Sequence, residues 1–178
     1  MTLPTVGLIF LGDEVFELLQ RGDLAEASRR SQLDLPRAFV TSESWLWPVF
    51  RAKIAADPEA EAVVVRAIVD AETHVVVGHA GFHAPPDSRG MIEVGYTVLE
   101  EHRRRGYATA TVSLLLSEAA TLGASVVRAS VSPDNAASLA VVRGLGFVLV
   151  GEQIDDEDGV ELIYERGPAP PSVLPPSP

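Results

Sequence analysis

The chain has 178 residues, and 47% of them are hydrophobic, which suffices for the core of one domain. It contains no Cys, which excludes disulfides, a thiolate nucleophile and cysteine-based metal sites and fits the reducing cytoplasm, where we expect it. Its 14 Lys and Arg against 25 Asp and Glu give a net charge of −11, so we expect no nucleic-acid partner. No apolar run reaches the length of a membrane helix, so we expect no membrane partner either.

The N-terminal half is predicted to be mainly helical after a first strand. The strand covers residues 6–11, and helices follow over residues 13–20 and 24–31. A third helical stretch over residues 43–56 carries Trp45 and Trp47, although Pro48 leaves its start open.

The second half is predicted to alternate strands with helices. Strand-like runs cover residues 62–69, 75–82, 91–98, 125–131, 147–151 and 160–164, and helices cover residues 107–122 and 135–143. Strands before helices, followed by strand–helix–strand alternation, indicate a mixed α/β sheet of the α+β kind. We assign residues 1–166 to a single domain and the Pro-rich residues 167–178 to an extended C-terminal tail.

Three consecutive arginines stand between the third of these strands and the helix that follows it. Arg103, Arg104 and Arg105 precede Gly106, and the helix begins at about Tyr107. Cations at the positive N-terminus of a helix are unfavourable unless an anion is bound there. Gly106 lets the backbone approach such an anion closely. The segment therefore predicts a phosphate or pyrophosphate site.

Two motifs carry a resemblance to a known family. Arg103-x-x-Gly106-x-Ala108 resembles the Gln/Arg-x-x-Gly-x-Gly/Ala acetyl-CoA signature of the GNAT acetyltransferases. The second motif is Asn135-Ala136-Ala137-Ser138, followed by Gly144-Leu145-Gly146-Phe147. Together they resemble the RimJ/RimL-type branch, which N-acetylates amines. The resemblance extends from Leu8 to Arg166.

The resemblance implies the GNAT fold and a set of cofactor-binding residues. In that fold a mixed sheet of six to seven strands is flanked by helices and splayed at the cofactor-binding strand. Acetyl-CoA is then the co-substrate, and the Val98 N–H polarises its thioester carbonyl; an ordinary sheet edge is the alternative. The implied cofactor-binding residues are Tyr96, Thr97, Val98, Arg103, Arg104, Arg105, Gly106, Tyr107, Ala108, Thr109, Asn135 and Ser138. Asn135 has a second interpretation, because an Asn at this position also caps a helix.

Two residues are candidates for catalysis. Strand alternation puts Glu93 on one face with Gly95 and Thr97, where it would accept a proton from an ammonium through water; an exposed surface Glu is the alternative. Ser138 lies one turn after Asn135 and would protonate the leaving thiolate. Many GNAT enzymes carry a Tyr where this chain has Val142, which leaves solvent as the alternative acid.

The acceptor site is marked only by aromatic and His residues. Trp45, Trp47 and His83 are candidates for substrate binding, with core packing the alternative for the tryptophans and a surface position for His83. No His and carboxylate spacing is typical of a metal site, so we predict no metal.

The sequence therefore predicts an acetyltransferase that moves an acetyl group from acetyl-CoA to a primary amine by direct attack. The amine is a protein N-terminus or a small molecule, and a homodimer is considered. The alternative is a non-catalytic acyl-CoA-binding or regulatory module of the same fold.

Overall fold

The structure, a computed structural model, describes residues 2–155 and 159–169. Within these residues it has seven strands: β1 Val6–Ile9, β2 Arg66–Asp70, β3 Val76–Phe82, β4 Met91–Val98, β5 Val126–Val131, β6 Val148–Asp155 and β7 Gly159–Arg166. The α-helices are α1 Asp13–Gln20, α2 Leu24–Ser31, α3 Leu46–Ala56, α4 Tyr107–Thr121 and α5 Ala136–Gly144. The predicted tail from residue 170 onwards lies outside the described residues, as do positions 156–158 of the acidic turn.

The strands form one mixed sheet in the order β1-β2-β3-β4-β5-β7-β6. The pairs β1–β2, β2–β3, β5–β7 and β6–β7 are antiparallel, and β4–β5 is parallel. The predicted mixed sheet of six to seven strands flanked by helices is thereby confirmed. Across the part of the chain that is described, no helix is long and apolar enough to cross a membrane.

The chain divides into two compact units, and the first contains the N-terminal helices. It comprises the residues up to His83 together with Gly95–Thr111. Helix α1 begins with Asp13 and Glu14, whose charges favour the helix N-terminus, and it buries Phe16 and Leu19 against the core. The core of this unit is therefore a helix-on-sheet layer built around large apolar side chains.

Several predicted boundaries in the first unit were wrong. The strand predicted over residues 6–11 ends at Ile9. The strand predicted from residue 62 begins at Arg66, because a 3-10 turn, Pro58–Ala62, precedes it. After that turn the Val63 carbonyl oxygen accepts a hydrogen bond from the N–H of Phe82 at 2.8 Å, outside the regular ladder. The helix predicted from residue 43 begins at Leu46, which puts Pro48 in the first turn, where its missing N–H costs no helix bond.

The second unit comprises Ala84–Val94 and the residues from Val112 onwards. In β5 the buried residues Val127, Ala129 and Val131 alternate with half-buried ones, so one face of the strand is covered. Strands β6 and β7 extend beyond the predicted 147–151 and 160–164, because their ladder continues to the pair Asp155↔Gly159. That extension includes Glu152, Gln153 and Asp155, polar residues that a hydrophobic pattern does not mark.

Candidate functional site

Strand β4 changes its pairing along its length. Its ladder with β5 joins Met91–Glu93 to Val126–Arg128 and ends there, well before the strand ends at Val98. At its far end β4 runs very close to β3: a Cβ on Gly78 would lie 2.0 Å from the Thr97 carbonyl oxygen. Only glycine fits at this approach. The parallel ladder thus covers only the first part of β4.

The segment after β4 is a tight turn with two left-handed residues. Arg104 has φ +61° and Gly106 has φ +87°. A non-glycine residue in this region is uncommon, and such strain is concentrated at functional sites. Helix α4 starts directly afterwards at Tyr107, and its first internal bond runs from the Ala110 N–H to the Gly106 carbonyl oxygen at 3.0 Å. The predicted strand, basic turn and helix are therefore present.

The three arginines of the turn do not have the same role. The Arg103 Nε donates a hydrogen bond to the Val98 carbonyl oxygen at 3.0 Å, so this side chain folds back onto the end of β4. All three arginines are exposed, and the bond to the Val98 carbonyl oxygen is what sets Arg103 apart from Arg104 and Arg105.

Gly106 is required by its backbone conformation. A Cβ at this position would meet Leu3 Cδ2 at 3.0 Å and Pro4 Cδ at 3.2 Å. A side chain at this position would therefore point toward the N-terminal segment and not toward an anion at the turn. Any part of Gly106 in anion binding falls to its N–H.

Tyr107 is bound to a buried carboxylate that the sequence did not single out. Its hydroxyl donates to Asp70 Oδ2 at 2.7 Å. Asp70 also accepts from the Thr73 N–H, the Thr73 hydroxyl and the Glu72 N–H at 2.7, 2.9 and 3.0 Å. These bonds, that from Tyr107 foremost, lower the pKa of Asp70 to about 2.

The sequence also did not single out the pair of buried His79 and half-buried Glu43. His79 Nε2 lies 2.8 Å from Glu43 Oε2, and the ionised carboxylate accepts this bond. The hydrogen bond from His79 is the main cause that lowers the pKa of Glu43, although burial opposes it. The pair ties the segment before α3 to strand β3.

In the second unit Glu93 is half-buried and belongs to a chain of hydrogen bonds. The Ser130 hydroxyl donates to Glu93 Oε1 at 2.6 Å. Gln153 Nε2 lies 3.4 Å from the Ser130 hydroxyl and donates to Glu161 Oε2 at 2.9 Å. The predicted alternation of β4 is present, and Glu93 has a partner that fixes its orientation.

Asn135 caps α5. Its Oδ1 accepts a hydrogen bond from the Ser138 N–H at 3.0 Å, so the capping interpretation is realised. The Ser138 side chain is half-buried, whereas Val142 is fully buried. The position at which related enzymes carry Tyr is therefore a core position here.

The two tryptophans differ in their surroundings. Trp47 is 1% exposed, stacks on Phe16 and donates its Nε1–H to the Phe39 carbonyl oxygen. This burial corrects the predicted acceptor contact of Trp47, because no face of its indole is accessible. Trp45 is 59% exposed.

His83 is exposed at the end of β3. A Cβ on Gly95 would lie 2.8 Å from its Nε2, so the imidazole covers the backbone of β4 at that point. Its carbonyl oxygen accepts a bond from Lys53 Nζ at 2.9 Å. Of the described residues, no group of three His, Asp or Glu is placed to hold a metal ion.

The structure thus groups the predicted residues by unit. The first unit holds the basic turn, the end of β4, Trp45 and His83, and the second holds Glu93, Asn135 and Ser138.

Known proteins resemble this chain in both sequence and fold. The uncharacterised N-acetyltransferase YjdG of Bacillus subtilis (strain 168) is 35% identical over 83 residues, which are 46% of this chain and 49% of that protein. The chain spans about half the length of the curated relatives it matches.

Two solved structures share the fold at low sequence identity. The microcin C7 self-immunity acetyltransferase MccE, in complex with acetyl-CoA and AMP, has a TM-score of 0.64 at 18% identity, with 92% of each chain covered. RimJ of Mycobacterium smegmatis, in complex with CoA-disulfide, has a TM-score of 0.64 at 19% identity over 91% of this chain and 81% of that one.

These likenesses confirm the predicted GNAT fold. The family profile described as the acetyltransferase (GNAT) domain matches residues 13–148, which is most of the chain. The chain therefore belongs to the GNAT acetyltransferase family.

Proposed function

We propose that this chain transfers an acetyl group from acetyl-CoA to a primary amine. The observation that carries the proposal is the turn from Arg103 to Tyr107, in which a left-handed Arg104 and three exposed arginines lead directly into a helix N-terminus. Backbone strain of this kind persists only where the surrounding structure enforces it, and it is concentrated at ligand sites. An anion is the ligand that this turn would bind.

The pyrophosphate of acetyl-CoA is the anion that fits this turn. The backbone N–H groups from Arg103 to Thr109 would hold it, since first-turn N–H groups of a helix have no acceptor within the helix. Arg104 and Arg105 add charge-assisted contacts. The complex of MccE with acetyl-CoA supports the choice of ligand.

The end of β4 would bind the pantetheine arm. Its parallel ladder ends at Glu93, so the backbone of Tyr96, Thr97 and Val98 is the stretch along which an extended arm would lie. The Val98 N–H would polarise the thioester carbonyl, an oxyanion-hole role. The hydrogen bond from Arg103 to the Val98 carbonyl oxygen restrains the next peptide, Val98–Leu99, at the end of this stretch.

Acetyl-CoA supplies an activated acetyl group, and the chain's own residues handle the protons. Glu93, oriented by the Ser130 hydroxyl, would take a proton from the acceptor ammonium through a water molecule. The amine then forms the amide bond as the thioester C–S bond breaks. Ser138 or solvent returns a proton to the CoA thiolate. A cysteinyl acyl-enzyme is excluded because the chain has no Cys.

We further propose a cationic acceptor and a place in the RimJ/RimL-type branch. The net charge of −11 favours a cationic ligand, and exposed Trp45 offers a ring for a cation–π contact. The motif from Asn135 to Ser138 and the likeness to the RimJ structure support this branch. Peptide N-termini are therefore tested beside small amines.

Release of CoA thiol across a panel of amines and N-terminal peptides tests the proposal. We expect turnover with at least one amine and loss of turnover in the double variant Arg104→Glu/Arg105→Glu. The matched control is Arg29→Glu/Arg30→Glu, which makes the same charge change in exposed ion pairs of α2. CoA binding without turnover on any amine would favour the acyl-CoA-binding module instead, and absence of CoA binding would refute both.

A further inference from the structure

We propose that Asp70 is a positioning residue for the pyrophosphate turn, which it holds in place through the hydroxyl of Tyr107. The inference deepens the proposed function and rests on it, because a turn that binds no pyrophosphate needs no such positioning. Asp70 itself touches neither acetyl-CoA nor the acceptor in this scheme.

Asp70 is a fixed point in the first unit. It is the last residue of β2 and is 7% exposed. Its own N–H donates to the Val75 carbonyl oxygen at 2.9 Å, which closes the hairpin to β3. Three bonds from Glu72 and Thr73 hold its carboxylate. A side chain restrained at backbone and carboxylate alike can restrain another group.

That group is the first residue of α4. The bond from the Tyr107 hydroxyl to Asp70 Oδ2 is 2.7 Å long, and the carboxylate, whose pKa is about 2, is ionised at neutral pH and can only accept. The Tyr107 hydroxyl is therefore occupied, which leaves its N–H as the phosphate contact. The edge of the Tyr107 ring also meets the ring of His102, with centroids 6.3 Å apart.

The bond between Tyr107 and Asp70 acts on the first turn of α4. The first turn of a helix frays because its N–H groups lack partners. Arg104 holds a left-handed conformation that is unfavourable for a non-glycine residue and would relax without support from outside the turn. Fixing Tyr107 fixes the direction of the N–H groups before the ligand arrives, which lowers the ordering cost of binding.

A purely structural role for the bond predicts something different. In that case its loss lowers the stability of the fold and leaves the affinity for CoA unchanged. Affinity for CoA, measured by calorimetric titration of the full chain, is therefore the readout. The variants are Tyr107→Phe, Asp70→Asn and the double variant, with unfolding by urea measured beside them.

We expect Tyr107→Phe and Asp70→Asn each to weaken CoA binding by about tenfold, since a charge-assisted hydrogen bond supports the site. The double variant should bind no more weakly than the worse single one, because both changes remove the same bond. Tyr164→Phe is the matched control: it removes a buried tyrosine hydroxyl that accepts from Arg143 in the second unit, and it should leave CoA affinity unchanged.

Three outcomes would overturn the proposal: unchanged CoA affinity in folded Tyr107→Phe, additive losses in the double variant, or an equal loss in Tyr164→Phe. If Asp70→Asn fails to fold, Thr73→Val removes only one of the bonds to Asp70 and should give a smaller loss of affinity. Wild-type protein that binds no CoA would refute the proposed function itself, which is a distinct result.

Discussion

Asp70 should give the protein a measurable acid sensitivity. Hydrogen bonds, chiefly from Tyr107, hold its pKa at about 2 in the folded state, against an ordinary value of 3.8. A lowered pKa stabilises the fold above the unfolded-state pKa, and this stabilisation is lost as pH falls toward the folded-state pKa. At about 1.4 kcal/mol per pKa unit, the ionised carboxylate contributes about 2 kcal/mol at neutral pH.

The variant Asp70→Asn isolates this contribution. The difference in unfolding free energy between wild type and variant should be constant from pH 7 to about 5. It should shrink by about 1 kcal/mol at pH 3 and by about 2 kcal/mol near pH 2, because the unfolded chain binds the proton first. Urea unfolding followed by circular dichroism at fixed pH values measures it. A difference that stays constant down to pH 2.5 would refute the reasoning.

Three further predictions concern the catalytic and aromatic residues. Glu93→Gln should lower kcat by about 100-fold while CoA affinity is retained, and an unchanged rate at neutral pH would assign the base to solvent or to another residue such as His83. Ser138→Ala keeps the backbone N–H that donates to the Asn135 cap of α5. It should slow turnover by about tenfold, most strongly at high pH. A defect that does not change with pH would contradict the role of Ser138 as an acid. Trp47→Ala should lower the unfolding free energy by about 3–5 kcal/mol because it empties a core site. Trp45→Ala should leave stability unchanged and raise KM for the amine. Unfolding in urea measures the first effect, and steady-state kinetics measure the second.

The sequence predicted elements well where local signals were strong. The helices over residues 13–20 and 24–31 and the strand over residues 91–98 were correct to the residue, because acidic first turns, Asp23 as a cap and period-2 alternation mark them. It predicted β2 and the β6–β7 hairpin less well. Val63 and its neighbours are apolar but follow a 3-10 turn. The end of the hairpin ladder includes the polar residues Glu152, Gln153 and Asp155.

The candidate site shows the same division. The basic turn was found because its residues are adjacent in the chain. Asp70 and Tyr107 stand 37 positions apart, as do Glu93 and Ser130, so no local pattern could pair them. Trp45 and Trp47 are two positions apart in a helical stretch, and the sequence alone did not reveal which one enters the core.

Binding of CoA at the basic turn is the central claim, and an amide NMR titration with CoA tests it most directly. The account predicts that the largest chemical-shift changes fall on the N–H groups of residues 103–109 and of Tyr96, Thr97 and Val98, and that Arg104→Glu/Arg105→Glu abolishes them. Saturable shifts centred elsewhere, or none at millimolar CoA, would contradict the account.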